Sequence, residues 1–260
     1  MPKIVAVANQ KGGVGKTTTC INLAAALGRS GFTSLLIDLD PQANTTSGLG
    51  YNKHKISASI YNVLIGQNKL ADTIIKTPFL NLHLVPSHPD LTGAEVELIN
   101  MVGREYRLRE ALDDAPNEYP FIIIDCPPSL NILTVNAMCC ANYMILPIQC
   151  EYFALEGISQ LLKVMELVKE RLNARLRIGG ILLTMFDRRT KLSVQVIDEV
   201  KGYFKDKVYK TIIPRNTRLG EAPSFGLPII YYDSSSSGAV SYTNLAQEII
   251  ELSHRETLNP

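Results

Sequence analysis

One glycine-rich turn constrains this chain more than any other stretch. Gln10-Lys11-Gly12-Gly13-Val14-Gly15-Lys16-Thr17-Thr18 follows Ile4-Val5-Ala6-Val7-Ala8, an apolar run that reads as a buried strand. It precedes Cys20-Ile21-Asn22-Leu23-Ala24-Ala25-Ala26-Leu27, whose apolar residues recur at helical spacing. A turn of this kind aims several backbone N–H groups at one point, and the helix N-terminus adds its partial positive charge there. The stretch therefore predicts a phosphate cradle, with Lys16 reaching the β- and γ-phosphates and the Thr17 hydroxyl on Mg²⁺. It departs from the general phosphate-loop pattern in two places. Gln10 stands where that pattern has glycine, and Lys11 is added beside the doubled glycine.

Further along, apolar runs alternate with helical patterns. Residues 34–39, 82–86, 121–125, 143–148, 178–185, 208–213 and 228–232 read as strands. Residues 59–64, 70–75, 132–141, 154–172, 192–204 and 240–252 read as helices, and 91–115 as helix with breaks. Residues 40–48 form a polar loop, and 220–227 is rich in Gly, Pro and Ser. Continuous apolar strands separated by helices imply a mostly parallel sheet covered on both faces. The expected architecture is one doubly wound α/β domain over residues 1–260, of the P-loop NTPase type. No repeat, low-complexity tract or linker divides it.

In such sheets ligands sit at the C-terminal strand ends. Asp125 follows four apolar residues there, the Walker B arrangement in which a carboxylate holds Mg²⁺ directly or through water. Asp38 and Asp40 end the second strand, two residues apart and hence on one face of an extended segment. One can hold a metal-bound water and the other can orient an attacking water.

Charge and cysteine usage narrow the partners. The formal net charge is +1, so any nucleic-acid site must be a local patch. Residues 171–218 supply one, with twelve Lys/Arg against four Asp/Glu. They lie mostly in loops and helix ends, the footprint of sequence-independent phosphate binding. The five cysteines lack paired spacing and read as core residues of a reducing cytosol. His54, His83, His88 and His254 show no ligand spacing. Met1 leads at once into a strand, so no signal peptide is expected, and no apolar run is long enough to span a bilayer.

Lys11-Gly12-Gly13-Val14-Gly15-Lys16-Thr17-Thr18, Asp38-Leu39-Asp40-Pro41-Gln42-Ala43-Asn44 and Ile124-Asp125-Cys126-Pro127-Pro128 together resemble the deviant Walker A ATPases, and among them the ParA/Soj partition proteins. Gln149-Cys150-Glu151-Tyr152-Phe153-Ala154-Leu155-Glu156-Gly157 and Ile213-Pro214-Arg215-Asn216-Thr217-Arg218-Leu219-Gly220-Glu221-Ala222-Pro223-Ser224 extend the likeness, which runs over residues 3–252. The resemblance implies ATP/ADP and Mg²⁺ as cofactors. It makes Lys11 the lysine that reaches the nucleotide of a second subunit, Asp40 the hydrolytic aspartate, Asp125 the Walker B aspartate and Thr17 the metal ligand. The strand-end spacing puts Asp38 in the expected metal set, and the resemblance makes Glu151 a partner-facing acid. Pro214 and Asn216 pack the adenine. Arg189 and Arg218 bind DNA, with Arg215 adjacent.

The implied function is a homodimer that forms only with ATP and holds double-stranded DNA non-specifically. Two triphosphates buried between subunits need cations, which Lys11 supplies, and Gly12 lies where the two backbones approach. No arginine finger is evident near the phosphates, so intrinsic turnover is expected to be slow, with a ParB/Spo0J-type partner stimulating it. The expected location is the cytoplasm, on the nucleoid. The runner-up is a MinD-like membrane-cycling ATPase, which needs a C-terminal amphipathic helix; residues 252–260 are too polar and short for one. A reductase related to nitrogenase iron protein needs cluster-ligating cysteines, and Cys126 stands alone near its motif.

Overall fold

The computed structural model describes residues 2–116, 118–151 and 158–258. Its strands are β1 (Lys3–Val7), β2 (Ser34–Asp38), β3 (Ile75–Lys76), β4 (Leu82–Val85), β5 (Phe121–Asp125), β6 (Tyr143–Gln149) and β7 (Arg177–Thr184). They form one sheet in the order β3-β4-β2-β5-β1-β6-β7. Every neighbouring pair is parallel except β3 against β4. Register brings the functional ends together, because Asp125 lies opposite Val7 on one side and Asp38 on the other.

The pleat sorts each strand between two cores. Ala6, Leu35, Ile37, Ile122, Ile124, Met144 and Leu146 face one. Val5, Val7, Leu36, Phe121, Ile123 and Ile145 face the other. The first core takes Leu91, Leu98, Leu133, Met138, Leu161 and Val196 from the helices over it. The second takes Leu23 and Leu27 from helix Lys16–Arg29 and Tyr242 and Leu245 from helix Ser237–Leu258. Both faces are covered, which is why the strands read as apolar runs without alternation. Each fully buried Leu or Ile contributes about 1.5–3 kcal/mol. Helix Lys16–Arg29 is buried continuously from Thr19 to Gly28, since it lies between the sheet and the closing helix.

Four expectations change. Residues 70–75 split into helix Leu70–Thr73 and the short antiparallel strand β3, whose Ile75 pairs Leu84. Residues 208–213 form no regular strand. Tyr209 N and Ile213 N bond to β7 carbonyls, and Val208 makes an isolated bridge to Ile181. Residues 228–232 are helix Ile229–Tyr232, begun by Pro228, whose carbonyl accepts Tyr231 N. The polar loop contains helix Asn44–Gly48. The 154–172 helix is present as Ile158–Arg171, its expected start lying outside the described residues. All five cysteines are buried and unbridged.

Candidate functional site

The glycine-rich turn lies between β1 and helix Lys16–Arg29 at the C-terminal sheet edge. Gly13 and Gly15 take φ of 74° and 91°, left-handed backbone that any Cβ disfavours. Gly12 has no such φ, and a Cβ on it would meet nothing within 4 Å. Buried side chains pin the turn. Asn9 accepts Lys11 N at 2.9 Å and donates to the Pro147 carbonyl at 2.7 Å. Thr184 donates to the Val14 carbonyl at 2.9 Å. The amides of Gly12, Gly13, Val14 and Gly15 donate to no described residue, so the turn presents free N–H groups.

Lys16 is buried, and its ammonium donates to the Lys11 carbonyl at 3.2 Å. Burial lowers its pKa, while Asp125 and then Asp40 oppose that shift. The Lys11 side chain, by contrast, is exposed and makes no hydrogen bond or ion pair with a described residue.

Asp125 is fully buried at the end of β5. Its Oδ2 accepts from Thr17 Oγ1 at 2.7 Å and Thr45 Oγ1 at 2.8 Å. Its Oδ1 has no partner among the described residues. Burial raises its pKa above the usual carboxylate range, against the lowering effect of the two threonines. A buried carboxylate oxygen left unpaired beside a hydroxyl and an ammonium fits a hydrated divalent cation with a polyphosphate.

Asp38, expected in the metal set, is bonded to the loop that follows it. Its Oδ2 accepts from Thr46 N at 2.8 Å and Thr46 Oγ1 at 2.6 Å, and its Oδ1 faces Asp40 N at 3.3 Å. It ends a strand wedged between β4 and β5, so its carboxylate turns into the loop that follows and holds it. Asp40 lies at the site margin, its Oδ1 accepting Gln42 N at 2.9 Å. Among the described residues no three His, Cys, Asp or Glu side chains converge as a metal site.

A cavity beside the turn is lined by Gly15, Thr18, Thr184, Pro214, Asn216 and Tyr242. It brings Pro214 and Asn216 next to the turn, where the sequence reading puts a base. Asn216 also caps helix Thr217–Glu221 by accepting Leu219 N at 3.3 Å, and it donates to Ser237 at 2.7 Å. Glu151 is partly exposed and faces Gln149 at 2.6 Å and Arg215 at 3.4 Å.

The three arginines expected at DNA are exposed, and each meets a carboxylate. Arg189 grips Asp187 through two bonds of 2.9 and 2.7 Å, holding that carboxyl down at about 2. Arg218 meets Glu221 at 2.8 Å and Asp233 at 3.7 Å, and Arg215 meets Glu151. The positive charge of residues 171–218 is thus partly neutralised on the surface.

Sequence reasoning misses Asn9, Thr45, Thr46, Ser87 and Thr184. The two loop threonines read there only as polar loop residues. Thr45 meets Asp125 80 residues away and Thr46 meets Asp38 eight residues away, and no motif spacing marks either.

A family model described as an AAA domain matches residues 2–178. The sporulation initiation inhibitor protein Soj of Bacillus subtilis is 53% identical over 249 residues, covering 96% of this chain and 98% of Soj. The chromosome partitioning protein ParA of Myxococcus xanthus is 52% identical, covering 96% of this chain and 88% of ParA. A solved structure named cobyrinic acid a,c-diamide synthase, from Mycobacterium smegmatis with ADP and magnesium bound, superposes with a TM-score of 0.84 at 37% identity. It covers 95% of this chain and 93% of that one. Relatives of such identity match nearly end to end, through the turn and both aspartate strands. The chain belongs to the ParA/Soj family of chromosome-partitioning ATPases.

Proposed function

We propose that this chain is a single-domain ATP-driven switch that partitions DNA. ATP closes two copies into a dimer, the dimer holds DNA without reading its sequence, and slow hydrolysis releases it. The observation that carries the reading is Lys11. It is exposed and, among the described residues, its side chain is unpartnered. It stands beside Gly12, a glycine that nothing within the described chain requires. Both features gain a reason if a second triphosphate and a second backbone approach there.

The amides of the turn and the Lys16 ammonium would hold the β- and γ-phosphates. Thr17 and Asp125 would hold Mg²⁺, which would offset the charge that develops on the transferring group. Asp40 would orient the attacking water. Lys11 would neutralise charge between the subunits, where two unpaired triphosphates are too costly to bury. Pro214 and Asn216 would flank adenine. Glu151 would face the partner copy and bring Arg215 with it. Arg189, Arg215 and Arg218 would contact phosphates once DNA displaces their carboxylates. Two such surfaces in one dimer bind by avidity, so the nucleotide gates the DNA. A centromere-binding partner of the ParB/Spo0J type would accelerate hydrolysis.

No helix among the described residues is long and apolar enough to cross a membrane. Light scattering with a non-hydrolysable ATP analogue and Mg²⁺ tests the reading. A dimer with the analogue and a monomer with ADP support it, and one mass in both states overturns it.

A further inference from the structure

The loop that carries Asp40 is held from outside by a residue of another strand segment. Ser87 lies two residues beyond β4 and is fully buried. Its hydroxyl donates to the Asp40 carbonyl at 2.8 Å, and its amide donates to Thr46 Oγ1 at 2.9 Å. Thr46 in turn donates to Asp38 through both amide and hydroxyl. Thr45, its neighbour in helix Asn44–Gly48, donates to Asp125.

This is one continuous network. Starting from Asp125, it runs through Thr45, Thr46 and Ser87 to the backbone of Asp40, with Asp38 as its buried base. Asp40 makes no strand pairing of its own; the last bond from this segment to β5 is Leu39 N to the Asp125 carbonyl at 3.0 Å. What fixes its backbone is the turn bond from Ala43 N to Asp40 O, the long bond to Asp38 and the Ser87 hydroxyl. The first lies within the loop and moves with it, and the second is a 3.3 Å bond to the end of β2 itself. Ser87 alone in that set comes from outside the β2 segment, so it ties the Asp40 peptide to the chain that leaves β4.

We propose that Ser87 is a positioning residue for hydrolysis, which sets the Asp40 carboxylate relative to Asp125 by anchoring the Asp40 carbonyl. The inference rests on Asp40 being the hydrolytic residue. Ser87 touches neither the glycine-rich turn nor the base cavity, so nucleotide affinity does not depend on it. A small displacement of a group that orients a water costs rate while leaving ground-state binding intact.

The test is a double-mutant cycle in steady-state ATP hydrolysis, with ATP affinity and thermal melting measured beside it. Ser87→Ala should lower kcat about tenfold, equivalent to about 1.4 kcal/mol, with KM and ATP affinity within about twofold of the parent. Ser87→Thr, which keeps the hydroxyl, should recover most of the rate. In an Asp40→Ala background, Ser87→Ala should change kcat no further, because its route to the chemistry is gone. A slow Asp40→Ala with an unaffected Ser87→Ala overturns the inference alone. A normal Asp40→Ala overturns the reading beneath it. Parallel losses in kcat, ATP affinity and melting temperature also overturn the inference, since they mark Ser87 as structural.

Discussion

Thr17 and Asp125, 108 residues apart in sequence, meet at 2.7 Å, the threonine hydroxyl donating to one carboxylate oxygen and the other oxygen staying without a partner among the described residues. The bond joins the first turn of the phosphate-facing helix to the end of the central strand. Thr45 donates to the same oxygen, so the carboxylate is oriented before any ligand arrives. Preorganisation of this sort places charge in a buried position at a cost in stability.

That cost can be read out with Asp125→Asn. Burial raises the Asp125 pKa in the fold, so the folded state disfavours the ionised form. The penalty is absent below the unfolded carboxylate pKa and grows until pH passes the folded one. Asparagine keeps an oxygen for Thr17 and Thr45 and removes the charge. At pH 7.5 without nucleotide the variant should melt about 2–4 °C higher than the parent. The gain should shrink as pH falls toward the unfolded carboxylate range, and Mg²⁺-dependent hydrolysis should be lost. Differential scanning calorimetry across pH checks it, and a lower melting temperature at pH 7.5 contradicts it.

Asp40→Ala should keep ATP binding and lose hydrolysis by about 10²-fold or more. The ATP dimer should then persist on DNA through a salt-matched wash, while the parent leaves. Phosphate-release kinetics with a DNA-retention assay read both effects. Normal turnover in the variant removes Asp40 from the chemistry.

Gly12→Val separates folding from assembly. No described atom of the chain lies within 4 Å of a Cβ at Gly12, and its backbone is not left-handed. Melting temperature and ATP affinity of the monomer should therefore match the parent. Dimerisation should weaken at least about tenfold, the scale of an overpacked interface. Sedimentation velocity with the ATP analogue decides it, and an unchanged dimer counts against the close approach of two backbones.

Arg189→Glu and Arg218→Glu should weaken DNA binding and leave the dimer intact. The slope of log affinity against log salt should become shallower by about 0.9 for each phosphate no longer neutralised. Asp187→Asn works in the opposite sense. It removes the charge and one of the two oxygens that hold Arg189, and should tighten DNA binding. An unchanged salt slope in all three variants would reduce these arginines to a solvated face.

The glycine-rich turn and the Asp125 strand are legible because their chemistry is local. A turn that exposes amides needs glycines in a row, and a buried strand ending in aspartate shows as four apolar residues and a charge. The parallel sheet is legible for the same reason, except where short apolar runs do not separate strand from helix. Residues 228–232 are helix because Pro228 starts a turn that Tyr231 closes. Residues 208–213 lie along β7 but share only scattered bonds with it. Polar anchoring is not legible. Thr45 meets Asp125 across 80 residues, and Ser87 meets Asp40 across 47. The spacing of Asp38 and Asp40 at one strand end is legible, but the two bonds that Thr46 makes to Asp38 are not.

The most direct test of the nucleotide-gated DNA switch is fluorescence anisotropy of a random-sequence duplex, titrated with the protein under Mg²⁺ and ATP, Mg²⁺ and ADP, and no nucleotide. The account predicts binding with ATP that weakens steeply with salt, and binding at least about tenfold weaker in the other two states, the scale of a second site gained by avidity. Equal affinity in all three states contradicts it.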